Sequence, residues 1–490
     1  MRTLKGEQIS NYTEKLIGIL AFLVAVFHTL LSAFRYIVVV SDFLPILHWI
    51  GAGLVVVSVL YLGYSLLHSE ESRLVIGRFF RRMISPELLL LIGLLFWFAL
   101  SSTVNQITGE KRYLRMEDAY LFDMTICIFL LFSIPCINKI TKLNISELLI
   151  HIVVIMYSVF TAVCLWRIFH LEVLTFPSGE QGGFTEKVQL ILGVHYNLTG
   201  MIAITMFCLC VYMVFTQEPM IKALYLLFGI IQLTVVYLSN SRTIFVGLIV
   251  FVAAVGFFCP WKTLKRKKVL IKLGISLLIC AICVGTFWAG RTGTFVLFEK
   301  VTHFSEEVEK EAGNLSAEVG KYKTHELTNK IQYETTQIAK TGADNVRKLN
   351  NLSNRTGVWK AALKVMGSQP QRFFFGVTSF GVTDAIRDIG GYHIEEVAHA
   401  HNIILQIGIS MGVPAMLLFC VFLILITVRC IRILSRGAGM NSYLIPAIVL
   451  CFLVVNMGES YLVGYFSVMA CFFYLFCGWI VVIDKDNKES

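Results

Sequence analysis

Apolar runs of about 20 residues recur along the whole of this 490-residue chain. A helix needs about 20 mostly apolar residues to cross the hydrocarbon core of a bilayer. Because 56% of the residues are hydrophobic and only 15% are charged, the chain lacks the charged surface of a soluble protein. The pattern excludes a soluble multidomain protein and predicts an all-α membrane protein.

Hydropathy predicts about twelve transmembrane helices, an even number that places both termini on one side of the membrane. Basic clusters at 73–82, 262–268 and 429–436 all fall on that side, and cytoplasmic loops carry the excess of Lys and Arg. The loop with Lys111, Arg112 and Arg115 falls outside against this rule. The predicted spans are 16–40, 44–67, 87–104, 118–136, 147–170, 198–216, 222–239, 243–259, 270–289, 402–428, 443–457 and 462–483.

A single large hydrophilic segment, residues 291–400, interrupts the apolar pattern. On this topology it is a large extracytoplasmic helical loop between transmembrane helices 1–9 (residues 1–290) and helices 10–12 with a cytoplasmic tail (residues 401–490). Heptad-spaced apolar residues predict a helical arm over 303–349, which we interpret as a solvated spacer. No cleavage site follows the basic N-terminus, so we expect an uncleaved first span.

Composition also limits which partners and cofactors the chain is expected to bind. The net charge is +10, but the strongest basic run, Lys262–Lys272, lies between two spans and is typical of a topology signal, so no nucleic acid is expected. Most of the 13 cysteines lie in apolar runs, which indicates neither a zinc site nor a disulfide framework. The chain has no P-loop and no GxGxxG motif, so no nucleotide cofactor is expected. Membrane lipids are expected to contact the protein.

Arg242 lies at the outer end of one predicted span and the start of the next, between Ser241 and Thr243. An arginine at that depth is costly unless it is solvated or paired. Its guanidinium can hold phosphate oxygens in a bidentate manner. The alternative interpretation is an interfacial arginine that extends to the headgroups.

A second arginine, Arg355, begins the sequence Arg355-Thr-Gly-Val-Trp359 in the large loop. Ser353 or Asn354 is suited to cap a short helix, which would place Arg355 in its first turn, where free backbone N–H groups attract anions. An ordinary loop arginine is the alternative. Gly376 follows three phenylalanines and permits close approach of a ligand to the backbone.

His399 and His401 precede the tenth predicted span, beside carboxylates. A histidine there is suited to act as a general base near neutral pH. The HxH pair could also bind a metal, but no third outward ligand is evident in the sequence. Asn402 is suited to cap the next helix. Asn197, at the outer entrance of another span, could line a cavity or cap a helix.

On the predicted topology Arg242, Arg355, His401 and Asn197 all lie on the outer face. Two fixed cations would stabilise charge on a departing diphosphate, and a titratable base would take the proton of an acceptor hydroxyl. Because no nucleotide motif is present, the pattern favours a lipid-linked sugar donor over a soluble nucleotide sugar.

Over roughly residues 195–430 these motifs resemble the O-antigen ligase and O-antigen polymerase family of polytopic membrane glycosyltransferases. The likeness rests on three motifs in order. They are Ser241-Arg242-Thr243 with Gly247; Arg355 with Trp359, Pro370 and Gly376; and His401-Asn402 with Gly412. The chain departs from the pattern at Ala415 and in the charged stretch 306–348, which looks like an insertion.

The resemblance implies a metal-independent, inverting glycosyltransferase in a bacterial plasma (inner) membrane, with both termini cytoplasmic and its catalytic face extracytoplasmic. The donor would be an undecaprenyl-diphosphate-linked glycan, held by Arg242 and Arg355, and His401 would activate the acceptor. His399 is less suited as the base because no Asn follows it. The residues expected to bind substrate are Asn197, Ser241, Thr243, Trp359, Gly376, His399 and Asn402.

The acceptor stays open between another lipid-linked repeat unit, a lipid-anchored core and a protein, and a polysaccharide polymerase is favoured. A peptidoglycan-type polymerase is a competing class, but its expected loop acid is not evident. A transporter or flippase predicts paired charges buried at mid-membrane, for which Arg35, Arg167 and Asp123 are the candidates. The concentration of polar motifs outside favours an enzyme.

Overall fold

The computed structural model of the chain describes twelve stretches of sequence, and within them every regular element is helical and none is a strand. The all-α prediction is therefore confirmed for the residues described. These are 2–34, 44–68, 70–108, 125–169, 196–239, 241–264, 268–317, 353–379, 381–391, 399–436, 441–462 and 467–489.

The helices up to the large loop are α1 Arg2–Phe34, α2 Leu44–His68, α3 Glu70–Met83, α4 Pro86–Ile107, a π-helical turn Cys127–Leu131, α5 Ile134–Thr141, α6 Ile145–Phe169, α7 Tyr196–Thr216, α8 Pro219–Leu238, α9 Arg242–Thr263 and α10 Val269–Ala317. The loop and the C-terminal part contain α11 Ser353–Gly367, α12 Pro370–Phe375, α13 Val382–Asp388, α14 Ile403–Met411, α15 Val413–Arg436, α16 Asn441–Gly458 and α17 Val468–Glu489.

Eight of the described helices are long and apolar enough to cross a membrane, as expected for a polytopic membrane protein. The total of about twelve spans stays a prediction, and part of the predicted span 118–136 lies outside the described residues. The eight are Pro86–Ile107, Ile145–Trp166, Asn197–Thr216, Pro219–Leu238, Arg242–Trp261, Val269–Thr294, Val413–Arg436 and Val468–Asp486.

The last helix before the large loop, α10, continues beyond its apolar part to Ala317. The division of the chain at residues 290 and 291 therefore falls inside one helix. The greater part of the predicted arm, from residue 318 to 349, lies outside the described residues. The three-part domain division stays a prediction.

Helix packing brings the starts and ends of several spans together at one end of the bundle. The helices α7 and α17 are buried among their neighbours, whereas few residues in the apolar part of α10 are buried. The helix α9 packs against α16 at Gly247, where a Cβ atom would lie 2.4 Å from a Val455 methyl group. This close approach places the end of α16 beside the start of α9.

The short loop helices α12 and α14 are held together by their glycines. Gly412 has φ +91°, and a Cβ atom there would lie 2.0 Å from the Phe374 carbonyl oxygen. Gly376 has φ +65°, and a Cβ atom there would lie 2.4 Å from the Ser410 carbonyl. The indole N–H of Trp97, on α4, donates to the carbonyls of Phe374 and Met411, each at 3.1 Å. The loop is thereby fixed on the ends of the transmembrane helices.

A buried charge cluster joins three helices at the opposite end of α4. Arg429 of α15 donates through Nε to Glu87 of α4 at 2.6 Å and through Nη1 to Asp484 of α17. Arg432 contacts the same Asp484 at 2.9 Å. Glu87 is 1% and Asp484 2% exposed, so both carboxylates depend on these guanidinium groups for compensation.

We expect Arg429→Met to destabilise the protein by about 3 kcal/mol, because removing one member of a buried pair leaves the other uncompensated. Thermal unfolding of the purified protein in detergent measures this as a lower Tm. Arg436→Met, at an exposed position on the same helix, is the matched control and should leave Tm unchanged. Equal Tm values for the two variants would contradict a stabilising role for the cluster.

Candidate functional site

A fully buried carboxylate, Glu459, lies just beyond the end of α16 and connects three segments of the chain. Its Oε1 accepts a hydrogen bond from Arg355 Nη2 at 2.9 Å. Its Oε2 lies 3.2 Å from His401 Nδ1 and 3.6 Å from His399 Nε2. We call Glu459, Arg355, Thr243, His399 and His401 the Glu459 cluster.

Arg355 lies in the first turn of α11, which begins at Ser353, as the capping pattern predicted. Its Nη1 donates to the Thr243 hydroxyl at 3.1 Å. A guanidinium has five N–H donors, and these two contacts leave donors available for an anion. The side chain is about a third exposed, so an anion from outside can reach it.

Arg242 is the first residue of α9, has an exposed side chain and precedes Thr243, the partner of Arg355. The preceding Ser241 is buried, and its hydroxyl donates to Asn197 Oδ1 at 2.7 Å. This contact ties the start of α9 to the start of α7. The structure thus gives Ser241 and Asn197 a positioning contact, while their predicted part in substrate binding stays a prediction.

A third arginine, Arg291, was not singled out from the sequence as a site residue. It lies on α10, with its guanidinium carbon 4.7 Å from the centroid of the Phe245 ring. It is close enough to Arg242 for the two positive charges to repel each other. Arg242 and Arg291 therefore place two positive charges near the start of α9, which suits an anionic ligand.

The histidine segment is held in an unusual backbone conformation. His401 has φ +48°, a left-handed conformation that side-chain-bearing residues rarely adopt. The Ala400 N–H donates to the buried Gln406 side chain at 2.8 Å. Asn402 caps α14 by accepting from Ile404 N and Leu405 N, which confirms the predicted cap. Hydrogen bonds on both sides of His401 therefore stabilise its conformation.

The hydrogen bonds distinguish the two imidazoles. The His401 backbone N–H donates to His399 Nδ1 at 3.1 Å, so that nitrogen is an acceptor and its neutral tautomer carries the proton on Nε2, facing Glu459. The Glu459 carboxylate, in contrast, favours the His401 tautomer with its proton on Nδ1. His401 Nε2 then keeps its lone pair, as a general base requires.

The cluster also corrects one expectation about metal binding. No third ligand beside the HxH pair was evident in the sequence, but Glu459 supplies one: the donor atoms of His399, His401 and Glu459 lie within 4.8 Å of one another. These three residues could hold a divalent cation such as Zn²⁺. The Arg355 guanidinium on the same carboxylate already provides a positive charge, which disfavours a second cation there.

Trp359 and Gly376 are the two remaining predicted residues. Trp359 lies one turn after Arg355, and its indole N–H is buried, with no hydrogen-bond partner among the residues described. Because that N–H is buried within the protein, its role in substrate binding stays a prediction. Gly376 packs against the backbone of α14, and its binding role stays a prediction.

Sequence patterns did not reveal Glu459, although one signal was present. The segment Met457-Gly458-Glu459-Ser460 places an acid between two apolar runs on the predicted outer side. An ionisable residue there marks a functional position by default. Its partners, however, lie 58 and 104 residues away in sequence, so spacing gave no indication of them.

We expect Gly458→Ala to lower activity at least tenfold, in line with the usual cost of misplacing a positioning group. A Cβ atom at Gly458 would lie 2.6 Å from the Thr243 methyl group and 2.8 Å from Arg355 Nη1, so it would push both side chains aside. The initial rate of the glycan transfer that the motif resemblance implies measures the effect. Gly53→Ala, where a Cβ atom meets nothing within 4 Å, is the control. Equal rates in both variants would contradict the expected crowding.

Residues 224–420 match the family model described as O-Antigen ligase. The match contains Arg242, Arg355 and His401, and it confirms the resemblance predicted from the motifs. It ends before Glu459. Over this region, which is less than half of the chain, the protein is similar to O-antigen ligases, and its apolar helices are those of a membrane protein. The comparison with curated proteins finds no match to this chain.

Proposed function

We propose, from the O-antigen ligase match over residues 224–420, that the chain transfers a glycan from an undecaprenyl-diphosphate carrier to a hydroxyl acceptor. The reaction would take place at the extracytoplasmic face of a bacterial plasma membrane. The observation that carries the proposal is the shared carboxylate of Glu459, which joins a base, His401, to a cation, Arg355.

In the proposed step the acceptor oxygen attacks the anomeric carbon of the donor sugar. The bond from that carbon to the diphosphate oxygen breaks, and its electron pair leaves with the diphosphate. The acceptor proton passes to His401 Nε2. Arg242 and Arg355 stabilise the charge that develops on the leaving diphosphate, since fixed cations act most strongly in a site that excludes water.

A single displacement of this kind inverts the anomeric centre, so we propose an inverting transferase. We propose that it needs no metal, because two guanidinium groups supply the positive charge at the leaving group. In this proposal Ser241, Asn197, Asn402 and Gly376 position the reacting groups, and Trp359 contributes to the binding of the donor glycan.

For the acceptor we propose a second lipid-linked repeat unit, which would make the protein a polysaccharide polymerase. A lipid-anchored core and a protein hydroxyl are the other two classes. We also retain the proposal that both termini are cytoplasmic and that residues 291–400 form the extracytoplasmic loop.

The transporter hypothesis is not favoured by the charges that the structure describes. It requires paired charges at mid-membrane, whereas Glu87 and Asp484 lie within two residues of the ends of their apolar spans. Arg35 and Asp123 lie outside the described residues, as does the side chain of Arg167. We therefore interpret the ion pairs of Arg429 as contacts that hold the helix ends together.

Purified protein in lipid nanodiscs, supplied with an undecaprenyl-diphosphate repeat unit and each acceptor class in turn, tests the proposal. We expect longer glycan chains, undiminished by EDTA. Arg242→Ala and Arg355→Ala should each lower the rate on the order of a hundredfold. Arg387→Ala, at an exposed arginine of α13, is the control on the same loop.

Unchanged product from both Arg242→Ala and Arg355→Ala would refute the assigned site. If EDTA abolished activity and Zn²⁺ restored it, metal independence would be refuted, but the rest of the proposal would stand. In sealed liposomes, movement of intact donor across the bilayer without any new glycosidic bond would support the transporter instead.

A further inference from the structure

A cavity of about 430 Å³ lies at the end of the bundle away from the Glu459 cluster. It is enclosed by α1, α2, α3, α5 and the π-helical turn. Met83 lines it, and α4 begins three residues later. The far end of α4 reaches the large loop, where Asn105 donates to the Phe375 carbonyl. The length of α4, about 30 Å, separates the cavity from the candidate site.

The lining of the cavity is almost wholly apolar. Along α1 it extends from Glu14 to Val24, which corresponds to about 15 Å of helix. Val59 and Phe80 line it and are 60% and 49% exposed, so the cavity opens to the surroundings of the protein. An elongated apolar cavity that opens from a transmembrane bundle accommodates a hydrocarbon chain better than water or a polar ligand.

The helix α3 places positive charge beside this opening. Its residues Ile76, Phe80 and Met83 recur at helical spacing and line the cavity. Arg73 and Arg81 are exposed. The helix carries four arginines against two glutamates, a net charge of +2. An amphipathic helix of this composition is typical of one that lies in the membrane interface and attracts anionic headgroups.

We infer that this cavity binds an anionic glycerophospholipid, with one acyl chain between α1, α2 and the π-helical turn and the phosphate at the arginines of α3. Size and charge both favour this occupant. A single acyl chain suits a cavity about 15 Å long, whereas an undecaprenyl chain is several times longer. Glu14, the one acid among the described lining residues, already has an interaction within the chain.

Native mass spectrometry of the full chain in detergent tests the inference, with phosphatidylglycerol, phosphatidylcholine and undecaprenyl phosphate as separate probes. We expect one phosphatidylglycerol per chain, retained about tenfold better than phosphatidylcholine. Ala21→Trp, which fills the cavity from α1, should abolish retention. The double variant Arg73→Gln/Arg81→Gln should bind both phospholipids equally.

Leu226→Trp, at an exposed apolar position on α8, is the control and should retain lipid as the unchanged protein does. Should Ala21→Trp fail to fold, Val59→Trp fills the cavity from its exposed rim. Equal retention of the two phospholipids by the unchanged protein, tighter binding of undecaprenyl phosphate, or unaltered retention in both tryptophan variants would each overturn the inference. Because the experiment measures lipid binding, its result does not depend on whether the protein transfers glycans.

Discussion

Glu459→Gln is expected to lower the rate of glycan transfer by up to about 10⁴-fold, the loss seen when a carboxylate that orients a catalytic imidazole is replaced by its amide. The carboxylate accepts from Arg355 Nη2 at 2.9 Å and lies 3.2 Å from His401 Nδ1. A glutamine side chain has one oxygen, so it can accept a hydrogen bond from Arg355 or from His401 but not from both through separate oxygens. Either His401 then loses its preferred tautomer or Arg355 loses its orientation.

The measurement is the initial rate of chain extension by purified protein, with kcat and KM determined separately. A positioning role predicts that kcat falls more than KM rises, because Glu459 acts through groups that contact the substrate. Glu459→Asp keeps the charge and should restore part of the rate. Glu218→Gln, at an exposed acid next to α8, is the matched control.

A structural role alone would give a different pattern. In that case Glu459→Gln would lower Tm and yield, while the correctly folded fraction would keep its kcat. A rate within twofold of the unchanged protein in that fraction would exclude Glu459 from the mechanism. The residue lies outside the 224–420 family match, so this result bears on the structure-derived part of the site.

His401→Ala and His399→Ala are expected to differ sharply, although the two rings lie 4.1 Å apart. Loss of a general base lowers the rate about 10²–10⁴-fold, and we expect this for His401→Ala. His399→Ala should cost less than tenfold, since its Nδ1 already accepts the His401 N–H and its Nε2 faces Glu459. The two variants serve as controls for each other.

Rates measured under single-turnover conditions would separate the chemical step from product release. A larger loss in His399→Ala than in His401→Ala would reverse the assignment of the base. Equal small losses would exclude both imidazoles from proton transfer and leave the charge stabilisation by Arg242 and Arg355 as the remaining part of the proposed chemistry.

The left-handed backbone conformation of His401 costs folding free energy at the proposed catalytic base. A side-chain-bearing residue at φ +48° costs on the order of 1 kcal/mol or more and persists only where its surroundings determine it. The hydrogen bond from the Ala400 N–H to Gln406 and the Asn402 helix cap hold this conformation in place. The strain directs the imidazole towards Glu459, and such outliers concentrate at functional sites.

Local sequence patterns predicted the features that depend on neighbours along one helix. Apolar runs predicted the membrane helices, and capping patterns placed Arg355 in a first turn and Asn402 at the start of α14. The order of the arginine and histidine motifs predicted the family, which the match confirmed. Hydropathy and capping act over a few residues, so they can be read from a linear pattern.

Which side chains contact one another became evident from the packed helices. The structure supplied four such contacts that no linear pattern indicated. It identified Glu459 as the connection between Arg355 and His401, provided the third potential metal ligand, brought Arg291 near Arg242, and distinguished His401 from His399. It also showed that Gly247, Gly376 and Gly412 permit close packing of helices and loop. These contacts join residues tens to hundreds of positions apart. They depend on which helices are neighbours and how each is rotated, which sequence spacing along one chain does not specify.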